Sequence, residues 1–250
     1  MKNKSIKLFE YEESFKLIKD LQSDYFLTRD DFIINIELLK NDTISDLLNK
    51  TEKQSTMLKN IADVKVGLKV YQVGKGKPPQ TRNMKEKRIY HSKRKIDDTY
   101  FNYLDGKDVN RFYLNWSGEY LKYGKHLAEP RSSFDLFSTK RILVRQIPSK
   151  PPYCINACLT DEIYLNDLNS MNIINIKIEP EYILALLNSK LISFWFMYKF
   201  GKLQRGIFPQ FKINELKLFP IKEISSTSLT KFSPSPNPKG TYRIPKNKPK

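Results

Sequence analysis

The strongest hydrophobic pattern lies late in the chain. "EPEYILALLNSKLISFWFMYKF" (179–200) places apolar residues around most of a helical wheel. Leu184, Leu187, Leu191, Phe194 and Tyr198 form one stripe, and Ile183, Leu186, Ile192, Trp195 and Phe196 widen it. A helix apolar on nearly all sides is a buried one. Read as one helix from Glu181 to Phe200 it would be about 30 Å long. Asn188, Ser189 and Lys190 interrupt the run, and the continuous part from Leu191 to Tyr198 falls far short of the roughly 20 residues of a membrane span. The pattern therefore predicts a core helix, with Trp195 as a packing residue. Beyond Gly201 the chain turns polar and basic through Lys202, Gln204 and Arg205 before Gly206.

Elsewhere the pattern is shorter in range. "EYEESFKLIKDLQ" (10–22) has apolar residues at helical spacing and an acidic start, which predicts a helix. Residues 30–53 read as a strand or short helix, then a helix capped near Thr43 or Ser45. Residues 58–79 alternate apolar and polar with glycine breaks, as a strand and a turn would. Residues 88–116 mix short aromatic strands with a Leu-Asp-Gly turn. "KRILVRQI" (140–147) and "CINACLT" (154–160) read as paired strands joined by "PSKPPY", and "INELKLFPI" (213–221) as a last strand ended by Pro220. Strands first and one long helix late predict an α+β class, with mixed small β-sheets around a long buried helix. Residues 225–250, with five prolines, read as an extended, disordered tail.

Charge changes the picture. The net charge of +17 favours a polyanionic partner, either nucleic acid or an anionic membrane surface. It is concentrated: residues 64–95 hold eleven basic residues against Glu86 alone, and the tail holds six against none. The plain alternative is a solvated face and a flexible arm. Two cysteines and an N-terminus, "MKNKSIKLFEYEESFK", without an apolar leader stretch predict a reducing cytoplasm.

The chemical motifs are mostly negative. Cys154 and Cys158, spaced C-x-x-x-C, would need both of the chain's histidines, His91 and His126, to complete the four ligands of a structural zinc, and no zinc is expected. Alternation along a strand would send both thiols to one buried face. Gly74 and Gly76 lack the spacing of a P-loop or a dinucleotide fingerprint. In "SKPPY", Lys150 occupies the place where an amino-group methyltransferase needs a hydrogen-bond acceptor, so the stretch reads as a rigid connection. No catalytic or metal-ligating residue is assigned.

Six segments carry a resemblance: "LKNIADVKVGL" (58–68), "YLDGKDVNRF" (103–112), "WSGEYLKYG" (116–124), "KRILVRQI" (140–147), "YILALLNSKLISFWF" (182–196) and "GIFPQFKINELKLFPI" (206–221). In this order they resemble the TaqI-like C-terminal specificity domain of adenine-specific DNA methyltransferases in type II (IIG) restriction–modification systems. Type I specificity subunits share the Asn-Ser-Lys helix and the final Phe-Pro-Ile. The resemblance implies a DNA-reading module spanning 58–224, with 1–57 as a helical connector to a methyltransferase domain that is not in this chain and 225–250 as the basic tail. That missing domain would bind S-adenosylmethionine. This chain alone would be catalytically silent, whether or not the parent enzyme also cleaves DNA. Double-stranded DNA and a methyltransferase domain or subunit are the implied partners, and no membrane. Half of a type I specificity subunit, or a non-specific nucleic-acid binder, remain as alternatives.

A DNA reader needs cations for phosphate and side chains that reach base edges. Arg82, Arg88 and Arg94 fall on turns of the basic stretch, and Lys75 and Lys77 flank Gly76. Lys202, Gln204 and Arg205 follow the buried helix, on a loop between two glycines. Glutamine suits adenine and arginine guanine. Arg111 and Arg145 are candidates either for DNA contact or, with Arg141, for structural pairing to Asp105 or Asp108.

Overall fold

The computed structural model describes residues 5–22, 39–53, 55–202 and 210–222. The first element is a hairpin, not a helix. Strands β1 (Ser5–Tyr11) and β2 (Phe15–Gln22) pair antiparallel. Ile6 faces Leu21, Phe9 faces Leu17 and Tyr11 faces Phe15, with a register shift between Leu8 and Phe9. The shift keeps the apolar residues of β1 on one face with those of β2. Phe15, Leu17 and Leu21 recur at spacings of two and four, which fit a strand as well as a helix. The Glu12–Ser14 turn decides for the strand.

The chain continues through α1 (Asp42–Glu52), β3 (Ser55–Met57), α2 (Leu58–Ile61) and β4 (Asp63–Val66). The basic stretch contributes α3 (Arg82–Glu86) and β5 (His91–Ser92). Then follow β6 (Tyr100–Leu104), β7 (Val109–Asn110), β8 (Tyr113–Leu114), β9 (Glu119–Lys122), α4 (Asp135–Ser138) and β10 (Arg141–Arg145). The last part holds β11 (Ala157–Thr160), β12 (Leu165–Asn166), β13 (Ser170–Ile174), α5 (Pro180–Leu187), α6 (Lys190–Lys199), α7 (Ile213–Lys217) and β14 (Pro220–Lys222).

Two four-stranded sheets organise the fold, in the orders β11-β10-β13-β4 and β12-β6-β9-β5. Short ribbons β14-β3 and β7-β8 accompany them. The class is α+β. The predicted pairing of 140–147 with 154–160 is present, Ile142 facing Leu159 and Leu143 facing Cys158. Side chains of β10 alternate between faces. Ile142 and Val144 enter the main core with Trp195, Phe196, Phe211 and Phe219, whereas Leu143 packs with Leu104, Val109 and Cys158. A third cluster, including Tyr90, Tyr103, Leu121 and Phe137, lies on the second sheet. Leu48 of α1 belongs to the main core, and β3 pairs with β14. The main core thus draws on residues before position 58.

The late helix is divided. α5 stops at Leu187 and α6 restarts at Lys190, with the Ser189 hydroxyl accepting from the Ile192 N–H at 3.1 Å. This is the N-cap arrangement. Asn188, 1% exposed, accepts from the Ala157 N–H at 3.1 Å and donates to the carbonyls of Ala157 and Leu184 at 3.0 and 3.1 Å. An asparagine that bonds an adjacent strand in both directions anchors the junction there. The break changes the helical phase, so Leu191, predicted on the buried stripe, is 45% exposed. Trp195 and Phe196 are buried as expected.

Two further readings are corrected. Residues 213–217 of "INELKLFPI" form the helix α7, not a strand, because Glu215 accepts from the Lys212 N–H and Leu216 turns into the core. Pro220 opens β14 instead of ending a strand, and a first strand position needs no ladder donor from it. Cys154 and Cys158 are both buried, but in different clusters. Cys154 precedes β11, so strand alternation does not govern it.

Candidate nucleic-acid interface

The basic stretch is not a loose arm. It takes in most of β4 of the first sheet and all of β5 of the second, and the turn between them is held by Gln80, which is 2% exposed. The Gln80 amide donates to the carbonyls of Val70 at 2.9 Å and His126 at 2.7 Å, and its carbonyl accepts from the Gln72 N–H at 2.8 Å. Its backbone bonds Gly74 and Lys75, and the Lys77 N–H donates to the Lys125 carbonyl at 2.9 Å. Gly76 has φ +85°, and a Cβ there would meet the His126 carbonyl oxygen at 2.3 Å. The glycine is needed for the close approach of two backbones.

Aromatic packing fixes the second half. The Tyr71 ring stacks on Tyr90 with centroids 5.4 Å apart. The Tyr71 hydroxyl accepts from the Tyr90 N–H at 3.0 Å and lies 3.0 Å from His91 Nδ1. The other ring nitrogen, Nε2, is buried with no hydrogen-bond partner. Burial, then the nearby Arg88 charge, lowers the His91 pKa from 6.5 to about 3. Burial pushes the Tyr71 hydroxyl up to about 12. His91 is therefore a neutral packing group under a cationic surface.

The sequence-predicted residues divide into groups. Lys75, Lys77 and Arg94 are exposed, and no carboxylate lies within ion-pair distance of them among the described residues. Arg82 is exposed but pairs with Glu86 at 2.8 Å, one helical turn away. Arg88 pairs with Glu119 at 2.8 Å. The Glu119 side chain is 11% exposed and also has Lys93 at 3.9 Å. Arg88 sits at φ 47°, a left-handed position uncommon for a residue with a side chain. Its first role is to neutralise Glu119, so it is placed chiefly as a structural residue.

The residues after the buried helix fare differently. Lys202 is 8% exposed, pairs with Glu215 at 2.6 Å and lies 5.6 Å from the Phe196 ring centroid. It is an internal cation committed to Glu215, not an exposed one as the sequence reading expected. Gln204 and Arg205 lie outside the described residues, as does the tail 225–250.

The strand arginines are not partners of Asp105 or Asp108. Arg111 donates to the Asn188 carbonyl at 2.9 Å, with its guanidinium 3.9 Å from the Tyr153 ring centroid. It pins the β7–β8 connection to the helix junction, so it is structural. Arg141 is 0% exposed and donates to the carbonyls of Thr139, Glu162 and Tyr164. Burial lowers its pKa to about 10. Arg145 faces Ser170 across the ladder and is half-buried, with no carboxylate partner among the described residues. Asp108 is 2% exposed and accepts from the Asp105 N–H and the Ser117 hydroxyl, closing the turn itself. Burial raises its pKa.

The pattern of hydrophobic and charged residues missed two residues of this surface. Gln80 and Glu119 look like ordinary polar positions in sequence, and their importance comes from partners 46 and 31 residues away. Among the described residues no group of three His, Cys, Asp or Glu could hold a metal ion. No described helix is long and apolar enough to cross a membrane. Within the Gly74–Gly76 turn the His126 backbone occupies the space at Gly76, whereas a Cβ at Gly74 would meet nothing within 4 Å.

Residues 101–221 match the family described as the TaqI-like C-terminal specificity domain. No curated protein matches the chain. The match covers β6 through β14, hence both large sheets save β4 and β5, and β5 of the basic stretch pairs with β9 inside it. Residues 101–221 are thus similar to a TaqI-like C-terminal specificity domain, which supports a DNA target-recognition module of a methyltransferase-type protein.

Proposed function

We propose that this chain reads a specific site on double-stranded DNA for an adenine-specific methyltransferase of a restriction–modification system. A separate catalytic domain or subunit would bind S-adenosylmethionine and carry out the transfer on an extruded adenine. The observation that carries the reading is the pairing of β5 with β9. It lays a stretch with ten more basic than acidic residues onto the domain that matches the specificity family. Phosphate neutralisation by such a surface gives affinity and register, and base-edge contacts give the sequence. Lys75, Lys77, Arg82 and Arg94 are the phosphate candidates. Gln204 and Arg205 are the base-edge candidates of this reading, with Arg145 as a third. A cytoplasmic setting follows from the partner.

The test is selection from randomised duplexes with the whole chain at one fixed salt concentration. A site reader should lose about 1–3 kcal/mol for each wrong base pair. Equal recovery of all sequences would make the chain a non-specific nucleic-acid binder. Calorimetric titration with S-adenosylmethionine tests the division of labour, and micromolar binding would contradict it.

A further inference from the structure

Lys125 lies thirty residues beyond the end of the basic stretch in sequence, yet the fold sets it against Lys77. The Lys77 N–H donates to the Lys125 carbonyl at 2.9 Å. Beside it, the Lys75 carbonyl accepts from the Gln80 N–H at 2.7 Å. All three lysines are exposed. The acidic groups of the surrounding elements are engaged elsewhere: Glu129 with Lys69 and Arg131, Glu86 with Arg82, and Glu119 with Arg88. Three like charges on adjoining backbone, without a carboxylate among them, repel one another in the free protein. A polyanion relieves that repulsion, and duplex DNA presents one negative charge per about 1.7 Å of its axis.

The geometry is also fixed in advance. Gln80 bonds Val70, Gln72 and His126 simultaneously, and Gly76 lets the two backbones touch. Ammonium groups on a loop already held in shape need less ordering on binding than those on a mobile arm.

We propose that Lys125, together with Lys75 and Lys77, forms a preorganised clamp for the phosphodiester backbone of duplex DNA, with Gln80 as its positioning residue. This rests on the DNA-reading function above and adds a residue outside the basic stretch.

The experiment measures duplex affinity of the whole chain against salt, on a selected site and on a random duplex. Lys125→Gln and Lys77→Gln should each make the slope of log affinity against log salt shallower by about 0.9, equally on both duplexes. Lys59→Gln removes the same charge from α2, which packs in the other core, and should leave the slope unchanged. Gln80→Ala removes no charge but should make the slope shallower as well, because the clamp loses its shape. Thermal melting establishes that this variant is folded, and if it is not, the two lysine variants decide. A Lys125→Gln protein indistinguishable from Lys59→Gln overturns the clamp. If the parent still selects a site in that case, the DNA-reading function stands. If the parent binds no duplex, both fall together.

Discussion

The indole N–H of Trp195 on α6 donates to the Glu52 carboxylate at the end of α1, at 2.9 Å and across 143 residues of sequence. Lys199, one turn further along α6, meets the same carboxylate at 3.0 Å. The bond ties α1, which precedes the segment matching the specificity family, to the buried helix α6 inside that segment. It also satisfies the one polar atom of a side chain that is 1% exposed, as a buried indole requires.

Trp195→Ala should therefore cost on the order of 3–5 kcal/mol of stability. Trp195→Phe should cost less, because it preserves edge contacts with Phe200 and Phe219, now at centroid distances of 5.6 and 5.2 Å. Denaturant unfolding measures both. A Trp195→Ala protein that unfolds like the parent but loses duplex affinity would move Trp195 from the core to the interface.

Asn188 should be as sensitive as a large core residue despite its size. Replacing it with alanine strands the N–H and C=O of Ala157, both bonded to its amide. Each buried group left unsatisfied costs about 1–3 kcal/mol. Asn188→Ala should thus unfold at clearly lower denaturant than Ser189→Ala, which loses one N-cap worth about 1 kcal/mol. Equal midpoints would mean that water replaces the Asn188 amide.

His91 makes stability depend on pH in a definite direction. Its pKa falls from 6.5 in the unfolded chain to about 3 in the fold. Between these values the unfolded state binds a proton that the native state does not, so stability rises with pH there. The contribution is whole above about 6.5, begins to fade below it, and is gone near 3. Arg88 and Lys93 reinforce the effect by opposing a charge on the ring, and Tyr71 and Tyr103 enclose it. Melting temperatures at pH 7.5 and pH 5 should differ more for the parent than for His91→Gln. Part of the difference should persist in the variant, because burial also lowers the His126 pKa. Identical pH dependence in both proteins would show that His91 is hydrated.

Local chemistry made much of this fold readable. The β10–β11 pair was legible because Ile142–Val144 and Ala157–Leu159 are continuous apolar runs bounded by turn residues. The buried character of 183–197 was legible from the density of large apolar residues. Its division into two helices was not, because Asn188 acts through a strand 31 residues away, and helical periodicity carries no such information. The N-terminal hairpin was misread for a related reason: Phe15, Leu17 and Leu21 satisfy both periods, and the pairing with β1 chooses between them. In the site, the excess of cations over 64–95 pointed to a surface. Which cations are free depended on where Glu86, Glu119 and Glu215 landed. The ion pair of Lys202 was not legible, because its partner Glu215 lies 13 residues on.

Arg88 and Arg94 offer the sharpest contrast within the basic stretch, as they are six residues apart and identical in charge. Arg88 holds Glu119, whose side chain is nearly buried, at 2.8 Å. Removing it leaves that carboxylate with Lys93 at 3.9 Å. Breaking a fully buried pair costs about 3–5 kcal/mol. Arg88 is itself 54% exposed, so solvent screening reduces the expected loss to about 1–2 kcal/mol. Arg94 has no acidic partner among the described residues, and its side chain is free to neutralise a phosphate. Arg94→Ala should leave unfolding unchanged within about 0.5 kcal/mol, while the salt dependence of duplex binding becomes shallower by about 0.9 in slope. Arg88→Ala should lower stability and leave that slope close to the parent's when measured on folded protein. Paired unfolding curves and salt titrations of the two variants separate the roles. If Arg88→Ala keeps full stability and flattens the salt dependence, then its bond to Glu119 opens when DNA arrives, and Arg88 belongs with the contacts after all.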